Sequence, residues 1–348
     1  MSRRTVSLLV LAVAFAALVA LAPDVLLLVF AGILIGIFLQ GGGSWIAAKL
    51  GIGYRWGLAA FGLAVAAAFV VSAMLAAPAL IEQFNELWRR VPEAAQKLAA
   101  RIEEYSWGPR LMEAISPGDF MSARGRGMAA SALTSTIGML AGFVLILFIG
   151  VYIAVNPRLY LRGVRALVAP SLRPRAEAAV RDAVRTLRRW LAAQLLSMSF
   201  VGLLTGLGLW IIGIPLAFVL GALAALLAFI PNIGPVVAAV PAVLLAFLDG
   251  PTTVMWVVLV YVAVQTVESY VVTPMIQQET VSLPPVLTIS TQLLLGYLFG
   301  ILGLALATPL AALGLALVGS LYVRGYLDRE PPQGAPCTVK RRREAMDG

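Results

Sequence analysis

Histidine is absent from the chain, and cysteine occurs once, as Cys337 in a charged stretch near the C-terminus. The first absence removes the commonest metal ligand and general base, and the second excludes an intrachain disulfide or a thiolate metal cluster. Charge is also scarce. Asp, Glu, Lys and Arg make up 12% of the residues, where soluble domains carry about 25%. No G-x-x-x-x-G-K-[ST] run occurs, so neither a nucleotide site nor any other cofactor is expected. An intramembrane protease would need two membrane Asp residues, a His or a membrane Lys, and the apolar runs hold none of these. The inventory therefore argues against an enzyme.

What is present is apolar surface. Of 348 residues 61% are hydrophobic, and the mean hydropathy is +0.93. Such a chain reads as an all-α polytopic integral membrane protein, with roughly 8 transmembrane helices, some broken or re-entrant, and a small helical extramembrane domain. A basic start, Met1 to Arg4, precedes the apolar run Thr5 to Ala22. Ala20-Leu21-Ala22 has the form a signal peptidase accepts. The alternative is a first span that pairs with Val25 to Leu39 in a hairpin turning at Pro23-Asp24. Gln40 to Trp56, with its G-G-G-S run, reads as a loop, and Gly57 to Ala77 reads as a third span. Residues 1–77 thus hold three helices.

Residues 78–131 read as a helical domain outside the bilayer, with seven basic and seven acidic residues. Leu80, Phe84, Leu87, Val91, Ala95, Leu98, Ile102 and Tyr105 form an apolar stripe on a helix interrupted near Pro92. Either the stripe folds onto its own chain or interface, or it is a seam between subunits. Residues 132–155 make the fourth span. The next segment, 156–190, carries nine Arg against Glu177 and Asp182. Lys and Arg bias sets orientation, so this segment and both termini are expected in the cytoplasm, in a multi-pass protein of the cell membrane. Pro174 opens an amphipathic helix with Val180, Val184, Leu187 and Leu191 opposite Arg181, Arg185 and Arg188. Its position between spans suits anionic lipid headgroups, and no nucleic acid partner is expected.

Residues 191–323 form the region around which the rest is arranged. Here helix-length runs are broken at P-N-I-G-P (Pro231 to Pro235), at E-S-Y-V-V-T-P (Glu268 to Pro274), and at L-F-G-I-L-G-L-A-L-A-T-P (Leu298 to Pro309). Broken helices survive in a bilayer only where the freed backbone faces protein or a watery cavity. Leu191 to Ile212 is a full span, whereas Leu216 to Ile230 and Val236 to Leu248 are short. Thr253 to Val272 follows, and Val286 to Leu302 with Leu304 to Val323 make a closing hairpin. Residues 324–348 read as a disordered tail. The pairs Gly32/Gly36, Gly202/Gly206 and Gly296/Gly300 read as close helix packing.

The three broken motifs, in that order and spacing, resemble the autoinducer-2 exporter family of bacterial membrane transporters, and the hydropathy profile is similar over nearly the whole chain. The resemblance implies efflux of a small molecule, energised by protons or not energised at all, and a ring-shaped homo-oligomer such as a pentamer. Sodium or lithium exchange for protons is the alternative within the family. A non-transporting oligomeric scaffold is the alternative outside it.

Among the apolar spans only Glu268 brings a charge to membrane depth, at an insertion cost of roughly 2.5 to 3.5 kcal/mol. Spacing of i, i+4 and i+7 places Tyr261, Gln265 and Glu268 on one helix face. Glu268 either pairs with backbone freed at the breaks or serves the pathway, binding a small-molecule or cation substrate or taking up a proton. Asn232, beside freed backbone, either joins that site or caps the next helix. Pro231, Gly234, Pro235, Pro274, Gly300, Gly303 and Pro309 are read as breaks and hinges, and no metal site is expected.

The charge asymmetry yields a direct test in intact cells, once Cys337 has been replaced. Ala99→Cys should react with a membrane-impermeant thiol reagent and Ala178→Cys should not. The opposite pattern would invert the topology.

Overall fold

A computed structural model describes residues 22–103, 124–214, 216–272 and 284–321, and every regular element among them is helical. The run Thr5 to Ala22 (but for Ala22 itself), Pro274, the polar connection that follows it and the 324–348 tail lie outside the described residues. So do residues 104–123 of the expected extramembrane domain. Among the described residues four helices are long and apolar enough to cross a bilayer, five if one bent pair counts as a span. Two shorter apolar helices accompany them. The chain is an all-α polytopic membrane protein.

Helix α1 (Pro23–Leu50) runs through the G-G-G-S sequence expected to be a loop, and the turn comes only at Gly51 to Gly53. The reason is contact with α2 (Tyr54–Glu103). A Cβ on Gly42 would lie 2.2 Å from the Phe61 ring, and one on Gly43 would lie 2.8 Å from the Leu58 Cα. These glycines let two backbones touch, which offsets their low helix propensity. Helix α2 likewise passes through Pro92 without the expected interruption. Pro92 is exposed, and the ion pairs Glu86–Arg90 and Glu93–Lys97 flank it at i, i+4. Hydrogen bonds from Arg90 and Lys97 hold the two carboxyls below their usual range.

The C-terminal half of α2 packs on its own chain. Leu87 is buried with Leu209, Leu216, Leu220 and Val257, Val91 packs against the same cluster, and Gln83 Oε1 accepts from the Val219 N–H at 3.2 Å. The middle of the expected stripe is therefore covered, while Ile81, Phe84 and Trp88 stay exposed.

Helix α3 (Arg124–Val155) lies on α1 with Gly32, Gly36 and Gly150 at the crossing, where an added Cβ would come within 3 Å of Ile149, Ile153 or Ile35. The chain then bends by 88° into α4 (Pro157–Leu167), a short amphipathic helix that the sequence pattern had merged with the basic segment after it. A 3-10 turn at Pro170–Leu172 leads to α5 (Arg173–Ile211). The amphipathic basic segment and the fifth span are this one helix, 39 residues or about 58 Å long. Ala179, Ala183, Leu187 and Trp190 are buried and Arg181, Arg185, Arg188 and Arg189 exposed, as the periodicity requires.

The short helices are α6 (Ala217–Leu227) and α7 (Ile233–Asp249), followed by α8 (Pro251–Val267) and α9 (Pro285–Val318). Gly202 and Gly206 of α5 meet Gly221 of α6, so the second glycine pair is a packing seam as expected. The third is not, because Gly300 has φ 61° and ψ −144° and turns the chain. Gln292 and Thr308, on either side of that turn, have side chains 3.5 Å apart, whereas sixteen residues of straight helix would separate them by about 24 Å. The expected closing hairpin thus turns at Gly300, three residues before Gly303. Gly303 is instead where the arms touch, since a Cβ there would lie 2.1 Å from the Leu295 carbonyl oxygen.

Candidate functional site

Helix α5 contributes to all three buried apolar clusters, through Leu187, Val201 and Leu209, and so sits between the N-terminal helices and the broken ones. Its polar side chains face the breaks. At the end of α6 the chain leaves helical geometry at Ala228 and regains it at Ile233. Buried Gln194 of α5 donates from Nε2 to the Ala228 carbonyl at 2.7 Å. Three residues further along the break, the Pro231 carbonyl accepts from Gln292 Nε2 of α9 at 3.0 Å, and Gln292 is 1% exposed. Trp190 packs edge-on against Phe229. The Gln194 amide thus takes over the Ala228 carbonyl, and the Gln292 amide adds a second donor to the Pro231 carbonyl, which already accepts from the Ile233 N–H at 2.8 Å.

One turn beyond Gln194, Ser197 Oγ donates to Glu268 Oε1 at 2.9 Å. Gln265 Nε2 donates to Glu268 Oε2 at 3.0 Å, as the helix-face spacing predicted. Glu268 is half-buried and opens a single π-helical turn, Glu268–Val272, at the end of α8. Such a turn widens the backbone spacing and recurs at functional sites. A carboxylate supplied by a hydroxyl and an amide can exchange a donor for a cation, a solute hydroxyl or a proton with little rearrangement.

Other candidates are placed differently. Tyr261 donates to the Ala238 carbonyl of α7 at 3.1 Å and packs against two apolar clusters, so it braces α8 on α7. Asn232 is exposed, stands at φ 68°, and makes no capping hydrogen bond from its side chain. Its contribution is the tight γ-turn that starts α7, closed by the Ile233 N–H donating to the Pro231 carbonyl at 2.8 Å. Gly234 is a close-approach position, because a Cβ there would lie 1.8 Å from the Leu227 carbonyl oxygen. Pro235 falls in the first turn of α7, where no amide hydrogen is needed, and Pro309 is buried inside the second arm of α9. Among the described residues no cluster of three His, Cys, Asp or Glu side chains could hold a metal ion.

Gln194, Ser197, Gln292 and Thr308 belong to this site without having been singled out from the sequence. The available signal was the cost of a lone amide in an apolar run, the same reasoning that picks out Glu268. A neutral amide costs less than a charge, so a search for charge passes it over.

A family model described as AI-2E family transporter matches residues 8–322. The chain belongs to the AI-2E transporter family. The match takes in every break and every polar side chain described above, so in this AI-2E family member the site lies within the region the family shares. The chain is also similar to three bacterial proteins that carry the name "Putative transport protein": it is 31% identical to YrrI of Bacillus subtilis over 165 residues, 47% of each chain. It is 33% identical to YueF of the same organism over 132 residues, 38% of this chain and 36% of YueF. It is 36% identical to a Thermotoga maritima protein over 122 residues, 35% of this chain and 38% of that one. The matched stretches span about half or less of these relatives.

The Gln292 amide gives the site a stability test. Gln292→Leu removes the hydrogen bond that ties α9 to the Pro231 carbonyl, leaving that carbonyl the Ile233 N–H alone, and should destabilise the protein by about 1 kcal/mol. It would be read as a lower thermal midpoint of the detergent-solubilised chain. Asn232→Gly should leave the midpoint unchanged. A fall for Asn232→Gly with none for Gln292→Leu would mean that the break is held by Asn232 instead.

Proposed function

We propose that this AI-2E family member exports a small polar solute through the cytoplasmic membrane, along a path formed by the 228–232 break, Ser197, Gln265 and Glu268, and that proton uptake by Glu268 drives it. The observation that carries the proposal is the seating of Glu268, the acid of an apolar helix, on the Ser197 hydroxyl and the Gln265 amide beside a helix break. An acid within an apolar span marks function by default, because its burial is costly. Family membership and the names of the relatives support transport over catalysis. Exchange of sodium or lithium for protons would use the same carboxylate.

Flux into proteoliposomes, followed with pH- and sodium-sensitive dyes and candidate solutes, separates these activities. Glu268→Gln keeps size and hydrogen bonding but fixes the neutral state. It should abolish pH dependence and proton-coupled flux while leaving expression normal, and Glu268→Ala should lower flux of any substrate at least tenfold. Wild-type flux from both variants across pH 6 to 9 would reduce the carboxyl to a structural role, and no flux from the native chain would favour a scaffold.

The protein is further proposed to act as a homo-oligomer, in a ring such as a pentamer. Ile81, Phe84 and Trp88 support this, since they form an exposed ridge at i, i+3 and i+7 on the C-terminal half of α2, 60%, 53% and 74% exposed. Phe84→Asp should dissociate the solubilised oligomer, as measured by its mass. A native monomer, or an oligomer that Phe84→Asp leaves intact, would contradict the seam.

A further inference from the structure

A second polar site lies away from Glu268, where the chain bends from α3 into α4. A cavity of about 800 Å³ opens there between the C-terminal half of α1, the start of α2, the Asn156 elbow and α5. Four arginines line it: Arg55 from α2, Arg158 and Arg162 from α4, and Arg188 from α5. Among the described residues no acidic side chain lines it. The nearby acids are engaged elsewhere, Glu177 with Arg165 and Arg181, and Asp182 with Arg185. Two of the arginines are oriented by backbone carbonyls. Arg188 Nη2 donates to Gly41 at 3.1 Å, and Arg162 Nε donates to Arg158 at 3.3 Å. The wall is fixed as well, because the Tyr54 hydroxyl donates to the Ala154 carbonyl at 2.6 Å, tying α2 to the end of α3.

Four guanidinium groups around one cavity repel one another unless an anion joins them, and their planar forks match phosphate oxygens. We propose that this cavity binds a phosphate group, that of an anionic phospholipid entering from the membrane. The choice of lipid rests on α4. Its Leu159, Leu161, Val164 and Leu167 are exposed on a helix bent 88° from α3, the arrangement of a helix lying in the membrane plane. Trp56, 74% exposed, stands in the cavity wall as an aromatic of the interface does. An apolar helix surface beside a basic pocket offers acyl chains and headgroup a place each.

The test uses the full chain in an uncharged detergent, with binding read as the shift in thermal midpoint on titration and as lipid retained in native mass spectrometry. Phosphatidylglycerol should raise the midpoint and be retained, and phosphatidylcholine should do neither. Arg158→Gln combined with Arg162→Gln should weaken phosphatidylglycerol binding at least about tenfold, from the loss of charge-assisted hydrogen bonds. Arg55→Gln, on the opposite wall, should act in the same direction, so the result does not hang on one variant's folding. Arg181→Gln combined with Arg185→Gln removes equal charge outside the cavity and should change binding less than twofold. Equal weakening in both double variants, or equal binding of the two lipids, would mean surface charge without a site. A shift produced by inorganic phosphate alone, with none from phosphatidylglycerol, would overturn the lipid and point to a soluble phosphorylated ligand.

Discussion

Inside a bilayer a broken helix has to find partners for its own backbone, and the rest of this structure follows from how that is done here. The break between α6 and α7 exposes the Ala228 and Pro231 carbonyls, and the amides of Gln194 and Gln292 take them up. Each amide comes from a different helix, so α5 and the α9 hairpin both dock against the break, which also holds itself through the Ile233 N–H on the Pro231 carbonyl. The polar centre is therefore an assembly product. It does not form from α6 and α7 alone, and displacement of α9 removes one of the two donors on the Pro231 carbonyl at a cost of about 1 kcal/mol.

Docking at such close range depends on small residues. Lipid tails are as apolar as leucine, so helix association in a membrane rests on van der Waals contact between close backbones. The glycine contacts of α1 with α2, of α1 with α3 and of α5 with α6 serve this purpose. They also explain why G-G-G-S is helical. In water that sequence would fray, but in lipid an unpaired backbone costs several kcal/mol per group, which outweighs roughly 1 kcal/mol of glycine propensity.

Length, hydropathy and charge carried the fold class, the basic face of α5, the short pair α6 and α7, the α9 hairpin and the contact between Gln265 and Glu268. Those features are local, set by periodicity or by i, i+3 spacing. What stayed hidden was set by tertiary contact. Whether G-G-G-S bends or runs straight depends on Phe61 and Leu58 of another helix, and whether Asn232 or Gln292 serves the break depends on where α9 folds back. Pro92 looked like an interruption because a proline removes one backbone hydrogen bond, but on an exposed helix face that loss is local, and an i, i+4 ion pair supports the helix on either side of it. The 88° elbow at Asn156 left only Asn-Pro as a cue, a dipeptide common in ordinary turns.

Helix α5 also joins the two polar sites mechanically. Arg188 contacts Gly41 beside the basic cavity, and Ser197, nine residues or about 13 Å further along, contacts Glu268. Between them Trp190 and Gln194 hold Phe229 and the Ala228 carbonyl. A helix this continuous moves as a rigid body, so a tilt that draws Ser197 away from Glu268 also shifts Arg188 relative to Gly41. The glycine seam with α6 resists sliding, because ridges at that spacing admit one register. Arg188 and Ser197 both lie N-terminal to Gly202, so a tilt of α5 about the seam shifts both contacts in the same sense, and Arg188, fourteen residues or about 21 Å from Gly202, moves further than Ser197.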